Sequence, residues 1–235
     1  YLQLNHLSGY AGSAGWPDWE LPFIEWAERE GFEIAVCMNA DLAEHPASGW
    51  ALRGLARGAL DSLERSRGRI DDLNVYPVPD GDTGTNLALT LRGVVEALGQ
   101  SAATDRPTLA RETTRAALMS ARGNSGVILS QIVRGAAEVL GSAETMDAGV
   151  VGRAFRGASD DAYRAVRRPV EGTMLTVIRE LAEAAEQEAA TLAPAELLTR
   201  LVERGEEAVA RTPEQLDVLR EAGVVDAGAA GLVEL

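Results

Sequence analysis

An all-helical fold is what this 235-residue sequence predicts. Two observations carry that expectation. From Gly49 onward apolar residues recur with a 3.6-residue period, and no convincing strand pattern interrupts the run. The segments between the periodic stretches are also short, which makes sequential neighbours antiparallel. The spacing predicts roughly eight amphipathic helices, near residues 49–67, 84–98, 107–121, 125–140, 147–167, 173–190, 194–211 and 213–222.

The apolar stripes justify these helices in turn. Leu52, Leu55, Ala56, Ala59, Leu60 and Leu63 share one face of the first, and Val150, Ala154, Phe155, Ala158, Ala162 and Val166 line the fifth. Leu175, Ile178, Leu181, Ala182 and Ala185 mark the helix starting near Thr173. Leu197, Leu198, Leu201, Ala208 and Val209 mark the one starting near Pro194.

The chain changes character near residue 47. Residues 1–46 hold Trp16, Trp19 and Trp26, both histidines (His6 and His45) and the single cysteine, Cys37, whereas the remainder is rich in Ala, Leu, Arg and Glu. Leu21 to Glu30 reads as a helix, Phe32 to Met38 as a strand and Asn39 to Asp41 as a turn. That is one piece of an α/β layer without the strands to complete a sheet. Its wording around Leu-Pro-Phe-Ile-Glu-Trp-Ala resembles part of an amidotransferase-like α/β domain. We read 1–46 as an atypical N-terminal extension, a fusion or a partial α/β fragment, and 47–235 as the helical domain.

Composition restricts the functions available. With 46% hydrophobic and 25% charged residues the chain has enough apolar content for one core. A net charge of -14 with a pI near 4.6 disfavours polyanionic partners, nucleic acid and anionic membrane surfaces alike. There is no leader pattern and no long apolar run to span a membrane, and one cysteine forms no internal disulfide, so a cytoplasmic setting is expected. All 22 basic residues are arginine. Neither a Walker-A loop nor the strand lysine of a protein kinase can exist without lysine, so phosphate would have to be met by metal ions, Arg or helix N-termini.

Residues 74–86, Asn-Val-Tyr-Pro-Val-Pro-Asp-Gly-Asp-Thr-Gly-Thr-Asn, carry the most chemistry. Asp80 and Asp82 sit one residue apart on a Gly-containing turn stiffened by Pro77 and Pro79, the outline of a hard-cation site. Mg²⁺ takes one or two carboxylates and completes its shell with waters and phosphate oxygens. Thr83, Gly84, Thr85 and Asn86 then lead into a helix and offer hydroxyls and free amides to an anion. Three further junctions present amides at helix boundaries: Arg122-Gly-Asn-Ser-Gly126, Glu171-Gly-Thr-Met174 and Val225-Asp-Ala-Gly-Ala-Ala-Gly231. The alternative for each is capping, with Asn124 or Ser125 as N-cap, Gly172 as a loop residue before Thr173 and Gly223 as a terminator.

Together these four segments, in this order, resemble the nucleotide-binding domain of the dihydroxyacetone-kinase L type (DhaL-like), over about residues 49–235. The wording is most similar to the N-terminal domain of the fatty acid kinase catalytic subunit. The resemblance implies an up-and-down barrel of eight amphipathic helices with ATP and two Mg²⁺ in loops at one end. It carries the metal carboxylates onto Asp80 and Asp82. Where the glycerone-kinase branch has a third aspartate, this chain offers Asn74, with Asp71 and Asp72 further back. Thr83, Gly84, Thr85 and Asn86 would follow the phosphates, and Asn124, Ser125 and Gly126 would donate at a helix start. Gly172, Thr173 and Met174 would line the adenine side, and Asp226 with Gly228 would close the site. Arg122 suits a clamp on the γ-phosphate because its guanidinium binds bidentately, and a solvated surface role is the alternative.

No general base or nucleophile is evident, which agrees with a family whose acceptor is carried by a separate protein. That partner is a fatty-acid-binding carrier in one branch and a dihydroxyacetone-binding subunit in the other. A carboxylate acceptor is already ionised near neutral pH and needs no base. The expected activity is therefore kinase chemistry, acyl-phosphate formation first and glycerone phosphorylation as the alternative. A nucleotide-binding regulator without turnover and a helical interaction module are the non-enzymatic alternatives. The chain stops directly after its last motif, where fatty acid kinase subunits continue, so truncation is expected. The sequence leaves a monomer or a homodimer open.

Overall fold

Nine helices form among the described residues, 49–235 of a computed structural model, and no strand accompanies them. The helix, strand and turn expected within 1–46, with His6, Cys37 and His45, lie outside those residues. The helices are α1 (Gly49–Asp72), α2 (Thr83–Gln100), α3 (Arg106–Ser120), α4 (Gly123–Ser142), α5 (Ala148–Ala165), α6 (Met174–Glu188), α7 (Pro194–Gln215), α8 (Asp217–Ala222) and α9 (Ala227–Val233). Each of α1 to α7 packs on its sequence neighbour, and α9 lies against α1, α2, α6 and α7.

Local chemistry sets several of the starts. The Asp105 carboxylate accepts the Thr108 N–H at 2.9 Å where Pro107 opens α3, and Asp147 accepts the Val150 N–H at 2.8 Å at the start of α5. The core is aliphatic. Leu63, Ile70, Leu87, Leu98, Leu109, Leu129, Ile178 and Leu197 are fully buried, each stabilising the fold by roughly 2 kcal/mol relative to an exposed side chain. Leu55 and Leu198, expected on the buried stripes, sit at their edges, 61% and 46% exposed.

Two departures from the expected helices have local causes. The expected break between Arg211 and Pro213 does not occur, and α7 runs through Pro213 to Gln215. Proline removes the N–H that would bond the Val209 carbonyl. The Thr212 hydroxyl replaces it, donating to Val209 O at 2.7 Å. The second departure is α9, a helix where the sequence suggested only a closing junction. Its Ala-Gly-Ala-Ala-Gly run has weak intrinsic propensity. Packing decides instead: a side chain at Gly231 would place its Cβ 2.3 Å from Leu87 Cδ1, so glycine is what lets α9 lie on α2. No described helix is long and apolar enough to cross a membrane.

Candidate functional site

The alternation of helices and loops brings four helix starts to one end of the helical unit. α2, α4, α6 and α9 all open onto a cleft of about 570 Å³. Backbone N–H groups at helix N-termini are unpaired donors with a positive dipole end, so this convergence favours an anion.

The loop from α1 to α2 supplies the cleft's acidic wall, where Asn74, Asp80 and Asp82 line the cavity. Asn74 is buried, and its side-chain amide donates to Asp80 Oδ1 at 2.6 Å and to the Val78 carbonyl at 3.2 Å. The Asp80 N–H donates to Val78 O at 3.0 Å, and Gly81 between the two aspartates has φ 66°. That left-handed turn is what glycine permits, and it leads directly from Asp80 to Asp82 at the start of α2. Asp82 occupies the N-cap position yet makes no cap hydrogen bond with its side chain.

Asp71 does something different. Its carboxylate accepts the Thr85 N–H at 3.0 Å and the Thr85 hydroxyl at 2.8 Å, fastening the first turn of α2 to the end of α1. Thr85 and Gly84 are accordingly absent from the cleft lining, and Gly84 is buried where α2 meets α1. Thr83 and Asn86 do line it.

At the start of α4, Gly123, Asn124 and Ser125 line the cleft. Neither Asn124 nor Ser125 is the cap. The N-cap is Arg122, and no side chain caps this end. Arg122, expected as a clamp or as a solvated surface residue, is exposed and lies off the lining, and its guanidinium donates to the neighbouring Ala121 carbonyl at 3.0 Å. Its backbone N–H donates to Thr90 Oγ1 at 3.1 Å, and that hydroxyl donates to Asn86 O at 2.7 Å, linking α4 to α2. Gly126 packs on Thr90 away from the cavity.

Thr173, Met174, Asp226 and Gly228 complete the inner wall, while Gly172 lies behind it against α7. Asp226 caps α9 by accepting the Ala229 N–H at 2.8 Å, and the same oxygen accepts the Met174 N–H at 3.0 Å. Burial pushes its carboxyl up to about 6, although hydrogen bonds from Ala229, Met174 and Gly228 oppose the rise.

The sequence reading took up Gly172 and Thr173 but passed over Arg167 and Arg168 in the first half of the loop from α5 to α6. Arg167 and Arg168 line the cleft, beside Val166 and Val170, and Val127, Ile128 and Leu175 give it an apolar side. The signal was present in the Arg-Arg-Pro-Val wording directly before the Glu-Gly-Thr-Met junction.

A metal's fit rests on donor chemistry. Asp80 and Asp82 provide hard oxygens, and the Asn74 amide turned towards Asp80 leaves its carbonyl oxygen as a further donor. No group of three His, Cys, Asp or Glu side chains suited to a metal gathers among the described residues. The set therefore fits Mg²⁺ sharing its shell with phosphate and water, and does not form an all-protein cage.

The model of the DAK2 domain family matches residues 77–235. An uncharacterized protein of Staphylococcus saprophyticus is 46% identical over 164 residues, covering 69% of this chain and 30% of that protein. One from Staphylococcus aureus is 40% identical over 173 residues, 73% of this chain and 32% of that protein. The chain thus spans about a third of the length of these curated relatives. Among solved structures, the dihydroxyacetone kinase from C. freundii in complex with AMP-PNP and Mg²⁺ superposes with a TM-score of 0.60 at 16% identity, covering 86% of this chain and 35% of that one. Its native form gives 0.58. At that identity the likeness is one of fold.

Proposed function

The chain belongs to the DAK2 domain family, and from that premise we propose that it is the Mg·ATP-binding phosphotransferase part of a larger kinase, whose acceptor is a fatty acid held by a separate carrier protein. One observation carries the reading: two aspartates, Asp80 held by Asn74 and Asp82 with no cap bond, line the same cleft as the starts of α2, α4, α6 and α9. Phosphoryl transfer asks a protein chiefly for positioning and charge neutralisation, and this arrangement offers both.

In this assignment the amides of Asn124 and Ser125, unoccupied by any cap, and the Thr83 hydroxyl receive phosphate oxygens. Val127, Ile128, Met174 and Leu175 shelter the base from water, and Asp226 keeps the starts of α6 and α9 in register beneath it. Asp80, Asp82 and Asn74 would hold Mg²⁺, and we assign two ions. When bound, the metal neutralises the phosphates and orients the transferring group.

The acyl acceptor accords with a lining that, among the described residues, includes no histidine or cysteine, because a carboxylate needs no deprotonation. A dihydroxyacetone-binding subunit is the competing partner, and its hydroxyl acceptor would need a base. The reading is tested by calorimetric titration of AMP-PNP with and without Mg²⁺ into the chain and its Asp80→Ala and Asp82→Ala variants. Binding that needs Mg²⁺ and is lost in both variants is expected. A folded wild type that binds no nucleotide would overturn the assignment. Phosphorylation of dihydroxyacetone but not of carrier-held fatty acid by the full-length protein would replace the acceptor.

A further inference from the structure

The cleft carries two cations that no partner among the described residues uses. Among the described residues Arg167 and Arg168 are the only basic side chains on its lining, and both are exposed. The chain has 36 acidic residues for 22 basic ones, and many of its described surface arginines hold a carboxylate. Those flanking this loop do so. Arg164 and Arg134 both pair with the buried Asp161, and Arg179 bonds Tyr163, Glu171 and Glu183. Arg167 and Arg168 make no ion pair or hydrogen bond among the described residues. Nor do they serve the end of α5, where Arg164 donates to the Asp160 carbonyl.

The loop holding them is braced on both sides. Val166 N–H donates to Tyr163 O at 3.3 Å, and the Val170 carbonyl accepts the Thr173 hydroxyl at 2.7 Å. Pro169 fixes the backbone directly after the pair. Beyond it, the Thr176 hydroxyl accepts the Gly172 N–H at 2.8 Å and donates to Glu171 at 2.9 Å. Two unpaired guanidinium groups on a braced loop are preorganised for an oxyanion.

Position within the cleft selects which oxyanion. Thr83, Met174, Leu175 and Asp226 are buried at its inner part, whereas Asp80, Arg167 and Arg168 are exposed at the mouth. An acceptor brought by another protein reaches only the mouth, so the phosphate to be transferred belongs there. We infer that Arg167 and Arg168 form the clamp on the terminal phosphate of the bound nucleoside triphosphate, the role that the sequence suggested for Arg122. This rests on the proposed nucleotide site.

Affinities for Mg·AMP-PNP and Mg·ADP, measured for the wild type, the Arg167→Ala/Arg168→Ala double variant and the corresponding double Lys variant, test it. Losing two charge-assisted contacts should weaken AMP-PNP by roughly tenfold to a hundredfold, with ADP changed by less than about threefold. The Lys variant, keeping charge without the fork, should fall between. Because neither arginine has a partner to lose among the described residues, the melting temperature should stay within about 2 °C of the wild type. Equal weakening of both nucleotides, or none, overturns the clamp while Mg²⁺-dependent binding by the wild type leaves the nucleotide site intact. Lost transfer with both affinities unchanged assigns the pair to the acceptor and also overturns it. A wild type that binds neither nucleotide overturns the site and the clamp together.

Discussion

The carboxylate of Asp226 accepts the Met174 N–H at 3.0 Å, joining the starts of two helices that lie 52 residues apart in the chain. The same oxygen caps α9 through Ala229, so a single buried carboxylate organises the inner wall of the cleft.

That carboxylate gives a pH signature. Its folded value, raised by burial from 3.8 to about 6, means the native state holds the proton more tightly than the unfolded chain. Its contribution is therefore fully present below pH 3.8 and is lost as pH rises to about 6, a change of roughly 3 kcal/mol. Asp105, Asp147 and Glu186, whose values are lowered, act in the opposite sense. Comparing Asp226→Asn with the wild type isolates the effect. In urea unfolding between pH 4 and 7, the stability difference should shift in the variant's favour as pH rises and level off above pH 6. Asp226→Ala strands two buried N–H groups and should cost about 2–4 kcal/mol at every pH.

Asp71 should behave as a structural residue. Asp71→Ala removes the acceptor for both the Thr85 N–H and its hydroxyl, and about 1–2 kcal/mol of stability should go with it. Nucleotide binding should keep its full dependence on Mg²⁺. If the dependence vanished, Asp71 would be acting on the metal and the fastening of α2 would be incidental.

How much of this was readable from the residues depends on range. The turn carrying Asp80 and Asp82 announces itself through adjacent prolines and Gly81, because those residues restrict the backbone locally. Helices with full apolar stripes were equally plain, whereas α9 depends on a glycine facing Leu87, a contact across 144 positions. Continuation of α7 through Pro213 depends on which way one hydroxyl turns. Arg122 adjoins an anion-suited junction but lies off the lining, since an N-cap side chain does not have to point where the helix amides do. Arg167 and Arg168 stood in plain wording beside a chosen junction, but it is the end of α5 at Ala165 that brings them to the cleft.

The closeness of α4 and α5 makes a sharp packing prediction. A Cβ at Gly135 would lie 2.1 Å from the Gly157 carbonyl oxygen and 2.4 Å from its carbon, and backbone cannot step aside as a side-chain tip can. Gly135→Ala should therefore cost about 3 kcal/mol in denaturant unfolding. Gly68→Ala, on the exposed face of α1 with nothing within 4 Å, should instead stabilise by about 0.5–1 kcal/mol. Equal effects at the two positions would contradict the close approach of α4 and α5.

The metal site is predicted to need the nucleotide, and Asn74 is the residue that sets this. Among the described residues only Asp80 and Asp82 bring carboxylates to the acidic wall of the cleft, and the Asn74 amide occupies one oxygen of Asp80 at 2.6 Å. Mg²⁺ alone should bind weakly, and the factor by which AMP-PNP tightens it must equal the factor by which Mg²⁺ tightens AMP-PNP. Asn74→Asp should change both sides of that linkage. A third carboxylate beside Asp80 should raise affinity for Mg²⁺ alone by roughly tenfold through the added charge. Without metal, like-charge repulsion and the loss of two amide hydrogen bonds should lower stability by about 2–3 kcal/mol. Calorimetric Mg²⁺ titrations and urea melts with and without Mg²⁺ measure both, and an Asn74→Asp protein that gains no stability from Mg²⁺ would place the ion away from Asn74 and Asp80.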